Sequence, residues 1–456
     1  MSEVSKENKM GIMPVGKLIF SMSFPMMVSM LVQALYNIVD SIFVSKICEN
    51  ALTAVSLAFP VQNLMSSVGV GTAIGVNAIL SKFLGQKRPE KASESAENGI
   101  FLAIISYIVF AVAGLAFSKF YFSVQTSDEQ ILEFGNSYLK IVSVLSFGMF
   151  MQLMLERLLL STGKTVFSMC SQLIGAVVNI IFDPIFIFGL FGCPKMGVAG
   201  AAYATVLGQF IAAIAAFVFN IKFNKEISLF GARFKPNGEM IKKIYAVGVP
   251  SIIMMSIGSV MTFGMNKILL AFSSTAAAVF GVYFKLQSFV FMPVFGINSG
   301  MVPVIAYNYG AGDKKRITKT IKICAIAAVC IMVAGFAVMQ LIPDVLLSLF
   351  EASPTMIEIG SISLRIISIS FPFAGFCIIM GSTFQALGDG VKSMITSIFR
   401  QLVVLLPSAY LLSLTGNVNN VWWAFPISEI FSLVISLIFV VSIYKSKIKP
   451  LGEQNV

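Results

Sequence analysis

Apolar runs recur along the whole chain between short polar breaks, each long enough for the roughly 20 residues a helix needs to cross the hydrocarbon core of a bilayer. Twelve spans are predicted from this pattern: 18–44, 52–80, 99–122, 132–159, 165–190, 197–221, 244–271, 276–307, 320–341, 356–385, 392–414 and 421–443. The runs are too long for barrel strands and lack their period-2 alternation. An even number of spans puts both ends of the chain on one side of the membrane.

Composition agrees. Of 456 residues, 57% are hydrophobic and 12% charged, too few charges to cover a soluble exterior of this size. Histidine is absent, so proton chemistry falls to carboxylates and a His-based metal site is excluded. The six cysteines, Cys48, Cys170, Cys193, Cys324, Cys330 and Cys377, are scattered without CxxC spacing and read as small apolar packing residues.

The net charge of +11 is mostly a topology signal. The segments on the side of the termini carry 24 of the 32 Lys and Arg, from Lys6, Lys9 and Lys17 to Lys445, Lys447 and Lys449. The opposite loops carry only Lys46, Lys119 and Lys195, with the acids Asp344, Glu351 and Glu358 nearby. The positive-inside rule then places both termini in the cytoplasm of a multi-pass cell-membrane protein. No nucleic-acid partner is implied, and a monomer in the lipid bilayer is expected.

Sliding the chain against itself gives a match at an offset of 225 residues: Lys17/Lys242, Pro25/Pro250, Gln62/Gln287, Gly71/Gly296, Gly75/Gly300, Gly85/Gly310, Ser143/Ser368 and Gly163/Gly388. Two six-helix lobes follow, with domains at 1–221 and 244–443, an inter-lobe linker at 222–243 and a tail at 444–456. Because six is even, the repeats are parallel, an arrangement in which transporters hold substrate between the halves.

Ionisable residues inside spans are costly and mark cavities or partners. Asp40 closes a stripe with Gln33 and Asn37 on the first helix, with Tyr36 beside it. Asp183 closes a second stripe with Gln172 and Asn179 on the fifth, followed by the helix-disturbing Pro184. Thr205 and Gln209 on the sixth helix could add oxygens. Carboxylates removed from water can exchange a proton or hold a cation, so the pair is a candidate ion site, with Na⁺ the one metal ion considered. Glu156 stands beside Arg157, and either local pairing or function fits it. Tyr36, Gln33, Gln62, Gln287, Glu429 after Pro426, and Met154 are candidates to line a substrate cavity.

The segments Tyr36-Asn37-Ile38-Val39-Asp40, Asn179-Ile180-Ile181-Phe182-Asp183-Pro184 and Gly197-Val198-Ala199-Gly200-Ala201-Ala202-Tyr203-Ala204-Thr205, with Pro426-Ile427-Ser428-Glu429, resemble the multidrug and toxic compound extrusion (MATE) family. The resemblance implies a twelve-helix exporter that expels cationic or amphiphilic small molecules in exchange for H⁺ or Na⁺, with no other cofactor. By position, Asp40, Asn179 and Asp183 match the family's N-lobe cation site, with Tyr138 and Thr205 beside them. One branch of the family uses acids in helices seven and ten; this chain has none inside those spans. A lipid or lipid-linked oligosaccharide flippase of related architecture is the nearest alternative, and would need a basic cavity for phosphate. An intramembrane aspartyl-type enzyme is the alternative of another class.

Overall fold

A computed structural model describes residues 8–229, 235–350 and 353–452. Lys6, Glu351, residues 230–234 of the predicted linker and 453–456 of the tail lie outside the described residues. The protein is an all-α membrane protein, and no strand occurs among the described residues. The principal helices are α1 Val15–Ser45, α2 Glu49–Gly85, α3 Pro89–Gln125, α4 Glu129–Val144, α5 Phe147–Ser161, α6 Thr165–Phe188 and α7 Val198–Phe223. They continue with α8 Gly238–Leu270, α9 Ser274–Gly310, α10 Lys314–Leu341, α11 Pro354–Ser368, α12 Phe371–Ala386, α13 Gly390–Ser413 and α14 Ala424–Ile443. Ten of these stretches are long and apolar enough to span a membrane, and the bent pairs α4/α5 and α11/α12 bring the number to twelve.

The predicted spans 132–159 and 356–385 are thus each broken, by 46° and 48°. The breaks fall at repeat-equivalent places, beside the identical Ser143 and Ser368. At the first, the Ser146 hydroxyl donates to the Ser143 carbonyl at 2.7 Å; at the second, Ser370 donates to the Ile367 carbonyl at 2.6 Å. A hydroxyl that captures a backbone carbonyl offers the chain an alternative to the helical bond. Pro372 then opens α12. Hydropathy cannot register such a break, since the flanking residues stay apolar.

The repeat reaches the turns as well. Gly163 and Gly388, 225 residues apart, both adopt positive φ (87° and 80°) just beyond a helix. Lys87 (φ 56°) occupies the place that Gly312 (φ 75°) fills in the second half. A left-handed conformation costs a side-chain-bearing residue about 1–2 kcal/mol. Lys87→Gly is therefore expected to stabilise the fold by about 1 kcal/mol, read as a higher melting temperature of the detergent-purified protein.

The described residues form two compact units, and the division does not fall in the 222–243 linker. Residues up to Met27 join Ile253 onward in one unit, here the C-unit, and Val28 to Ile252 form the other, the N-unit. Each exchange point lies two residues beyond a repeated proline inside a helix, Pro25 in α1 and Pro250 in α8. Proline deletes a helical hydrogen bond there and weakens the helix locally.

Small residues explain the exchange. In the N-unit, Gly71 and Gly75 of α2 lie directly against the backbone of α8: a Cβ on Gly71 would stand 2.8 Å from the Ile252 nitrogen, and one on Gly75 would strike the Ile244 carbonyl. In the C-unit, Gly296 and Gly300 of α9 meet Met27 and Ser23 of α1, a Cβ on Gly300 falling 2.8 Å from the Ser23 nitrogen. Ile252 and Met27 are themselves repeat equivalents. Close backbone approach through small residues is a standard way for membrane helices to associate.

The tail is also part of the fold. Helical turns continue from Tyr444 to Gly452, and Lys447 anchors them by donating to the Leu387 carbonyl (2.8 Å) and pairing with Asp389 at 3.0 Å.

Candidate functional site: a carboxyl pair in the N-unit cavity

Within the N-unit, the polar stripe of α1 faces α2, α4 and α7 across a cavity of about 620 Å³. Gln33, Tyr36, Asn37 and Asp40 line it from α1, Gln62 from α2, Tyr138 from α4, and Thr205 and Gln209 from α7. Eight residues singled out in the sequence, on four helices, thereby come together. Gln62 donates to the Tyr138 hydroxyl at 3.2 Å, fixing the wall opposite α1.

Asp183 is fully buried on α6, and its carboxyl group interacts directly with that of Asp40. Glycine again sets the geometry. Gly175 of α6 and Gly208 of α7 approach so closely that a Cβ on Gly208 would stand 2.7 Å from the Gly175 carbonyl oxygen. One turn on, this brings Asn179 between the two helices, where its amide donates to Asp183 at 3.3 Å and to the Thr205 hydroxyl at 3.5 Å. Three buried oxygens remain without a hydrogen-bond partner: Asp40 Oδ1, Asp183 Oδ2 and Asn179 Oδ1.

Two carboxyl groups this close cannot both keep a full charge unless a proton or a cation lies between them. Either suits the donor set, because hard monovalent cations take oxygen ligands. The described residues contain no group of three or more His, Cys, Asp or Glu that could hold a metal ion. Lys46, six residues beyond Asp40, places its ammonium over the Phe43 ring, 5.9 Å from the centroid.

Glu156 is a full member of this region, which its neighbour Arg157 concealed in the sequence. It is 4% exposed and accepts from Gln152 (3.0 Å), Ser171 (3.2 Å) and Gln172 (2.8 Å). With Asn179 it lines a second, smaller cavity of about 90 Å³, and Gln33, Tyr36, Thr205 and Gln209 line both cavities. The signal available beforehand was the Gln152/Glu156 pair one turn apart, matched by Gln172 on the next helix.

Three of the residues predicted to line a substrate cavity are not among those lining these two cavities. Met154 is 1% exposed in the apolar core with Leu158 and Val76, where its sulfur closes over Gly99; its helix turns Glu156 to the cavity and Met154 away. Gln287 and Glu429 belong to the C-unit, and Glu429 pairs with Arg400 at 3.6 Å. Two basic residues in the second half lie clear of both cavities: Lys285 sits over the Phe350 ring at 5.8 Å, and Lys267 is exposed at the end of α8.

The family model MatE matches the chain twice, over residues 25–185 and 250–411. The two matches begin 225 residues apart, the offset of the internal repeat. The chain belongs to the MATE family. Among curated relatives of this MATE protein, the "Multidrug export protein MepA" of Staphylococcus haemolyticus is 27% identical over 438 residues, covering 94% of each chain. The protein of the same name from Staphylococcus aureus is 26% identical over 428 residues, again 94% of each. Solved structures share the MATE fold throughout. "Outward-facing conformation of a multidrug resistance MATE family transporter of the MOP superfamily" aligns with a TM-score of 0.91 at 24% identity, over 99% of this chain and 100% of that one. A MOP-superfamily transporter of Pyrococcus furiosus aligns with a TM-score of 0.90 at the same identity and coverage.

Proposed function

We propose that this MATE protein is a secondary active multidrug exporter, moving cationic or amphiphilic compounds out of the cell against an inward flow of H⁺ or Na⁺, with both termini cytoplasmic. The observation that carries the reading is the Asp40 carboxyl group on the wall of a cavity large enough for a drug-sized molecule, with its partner Asp183 buried outside that lining. The names of its MepA relatives support the same activity.

The coupling follows from electrostatics. With Asp40 and Asp183 carrying net negative charge, the cavity attracts an organic cation. A proton or Na⁺ taken up between the two carboxyl groups cancels that attraction and adds a bond between α1 and α6. Tyr36 lies among Asp40, Asp183 and Glu156, so the charge on the pair is felt in both cavities. Ion and cargo thus weaken each other's binding, and by linkage the effect is reciprocal.

A cationic cargo is favoured over a phosphate-bearing lipid because no Lys or Arg is among the residues that line either cavity. The test is efflux of a fluorescent cation in inverted vesicles containing the protein, with the proton and sodium gradients collapsed separately. Loss of transport with one ionophore identifies the coupling ion. Transport indifferent to both overturns the reading.

A further inference from the structure

The C-unit contains a second buried ionic cluster, built around a helix of unusual winding. Residues Phe399–Leu405, in the middle of α13, form a π-helical stretch. Pro407 follows and has no N–H to offer the Val403 carbonyl. Such stretches are uncommon and concentrate at functional sites. Arg400 projects from it toward Glu429 of α14, with Nη1 3.6 Å from Oε1.

This is a poor ion pair by structural standards. Burying two charges is repaid only by good geometry and by hydrogen bonds to the remaining polar atoms. Here Glu429 Oε1 makes no hydrogen bond, and neither do the Ser432 and Ser436 hydroxyls. The three stand at i, i+3 and i+7, on one face of α14. The Cys377 thiol of α12 lies beside them, and Tyr283 of α9 faces both Glu429 and Arg400. Glu429 is nine-tenths buried, whereas Arg400 keeps 26% of its side chain exposed. The other described acids of the C-unit, Asp313, Asp344, Glu358 and Asp389, lie at or near helix ends. Among these described acids, Glu429 alone is buried.

We propose that Glu429 is a second cation-accepting group of the exporter, with Arg400 as its resident cation and an exported organic monocation as the competitor. The inference rests on the exporter reading above. The unpartnered oxygens of Glu429, Ser432 and Ser436 receive the incoming cation's charge, and the π stretch supplies the displacement. Rewinding it to an α-helix shifts the register by one residue, which turns Arg400 by about 100° about the helix axis. Arg400 thereby keeps the carboxylate neutralised whenever cargo is absent.

Equilibrium binding of ethidium to the purified full-length chain, followed by fluorescence anisotropy, tests this. Removing the competitor in Arg400→Gln is expected to tighten binding about tenfold, as when a site occupied nine parts in ten is freed. Glu429→Gln is expected to weaken it, and to abolish the gain when combined with Arg400→Gln. Should Arg400→Gln fail to fold, Arg400→Lys, which keeps the charge but loses the guanidinium's reach, tightens binding by a smaller factor. Binding that is unchanged or weaker in the folded Arg400 variant, or unchanged in Glu429→Gln, overturns the proposal. If the wild-type chain binds no ethidium, the exporter reading fails with it; if wild type binds and the Arg400 variants do not respond, only the C-unit site is lost.

Discussion

Asp183→Asn is expected to cut gradient-driven export sharply while leaving the yield of folded protein unchanged. The amide has the shape of the carboxyl group and keeps the bond from Asn179. Its own N–H₂ can donate to Asp40, permanently imitating the pair with a proton between its members. On the proposed exchange mechanism, the variant is therefore held in the ion-loaded condition, in which cargo binds weakly. Coupling between two sites typically amounts to about 5–150-fold in affinity, so transport against a gradient is expected to fall by about a hundredfold. Vesicle efflux under an imposed proton or sodium gradient, with anisotropy binding of the same fluorescent cation, measures both parts. Retained ion-driven efflux in this variant removes the carboxyl pair from the mechanism.

Gly75→Leu is expected to be the most damaging single change to the fold. Its side chain has no volume to occupy, because a Cβ alone already strikes the Ile244 carbonyl and falls 3.2 Å from the Gly248 nitrogen. Backbone cannot move aside as a flexible side chain can, so the cost lies at or beyond the upper end of overpacking, about 3 kcal/mol. That is a large part of a typical folding free energy. Gly300→Leu, its repeat equivalent, meets the Ser23 backbone in the same way and should behave alike. Gly281→Ala is the control: nothing lies within 4 Å of its Cβ, and the helix gains up to about 1 kcal/mol from the better helix former. Melting temperature and the monodisperse fraction in detergent separate the three. Equal behaviour of Gly75→Leu and Gly281→Ala would show that the α2–α8 seam is looser than described.

Much of this protein could be read from local chemistry. A span is defined by the cost of polar groups in hydrocarbon, which each segment meets by itself, so hydropathy found the spans but not the breaks made by hydroxyls at Ser146 and Ser370, nor the π-helical stretch of α13. The 225-residue repeat was legible because Gly and Pro mark backbone needs that both halves share. Asp40, Asn179 and Asp183 stood out for the same reason: each is a costly group with helical spacing to others. Glu156 was obscured because its neighbour in sequence, Arg157, suggested a local pair, whereas its hydrogen bonds come from Gln152, Ser171 and Gln172.

What the chain alone determined, then, is the all-helical class, the duplication and the polar stripes, all of which follow from periodicity and transfer cost along one helix. Which stripes face each other was decided only in three dimensions. The Gly175/Gly208 contact sets Asn179 between Asp183 and Thr205, the turn of α5 sends Glu156 inward and Met154 into the core, and the seams at Gly71/Gly75 and Gly296/Gly300 exchange the first parts of α1 and α8 between the units. Each depends on how closely two backbones approach, and that distance is a property of helix pairs that no single segment carries.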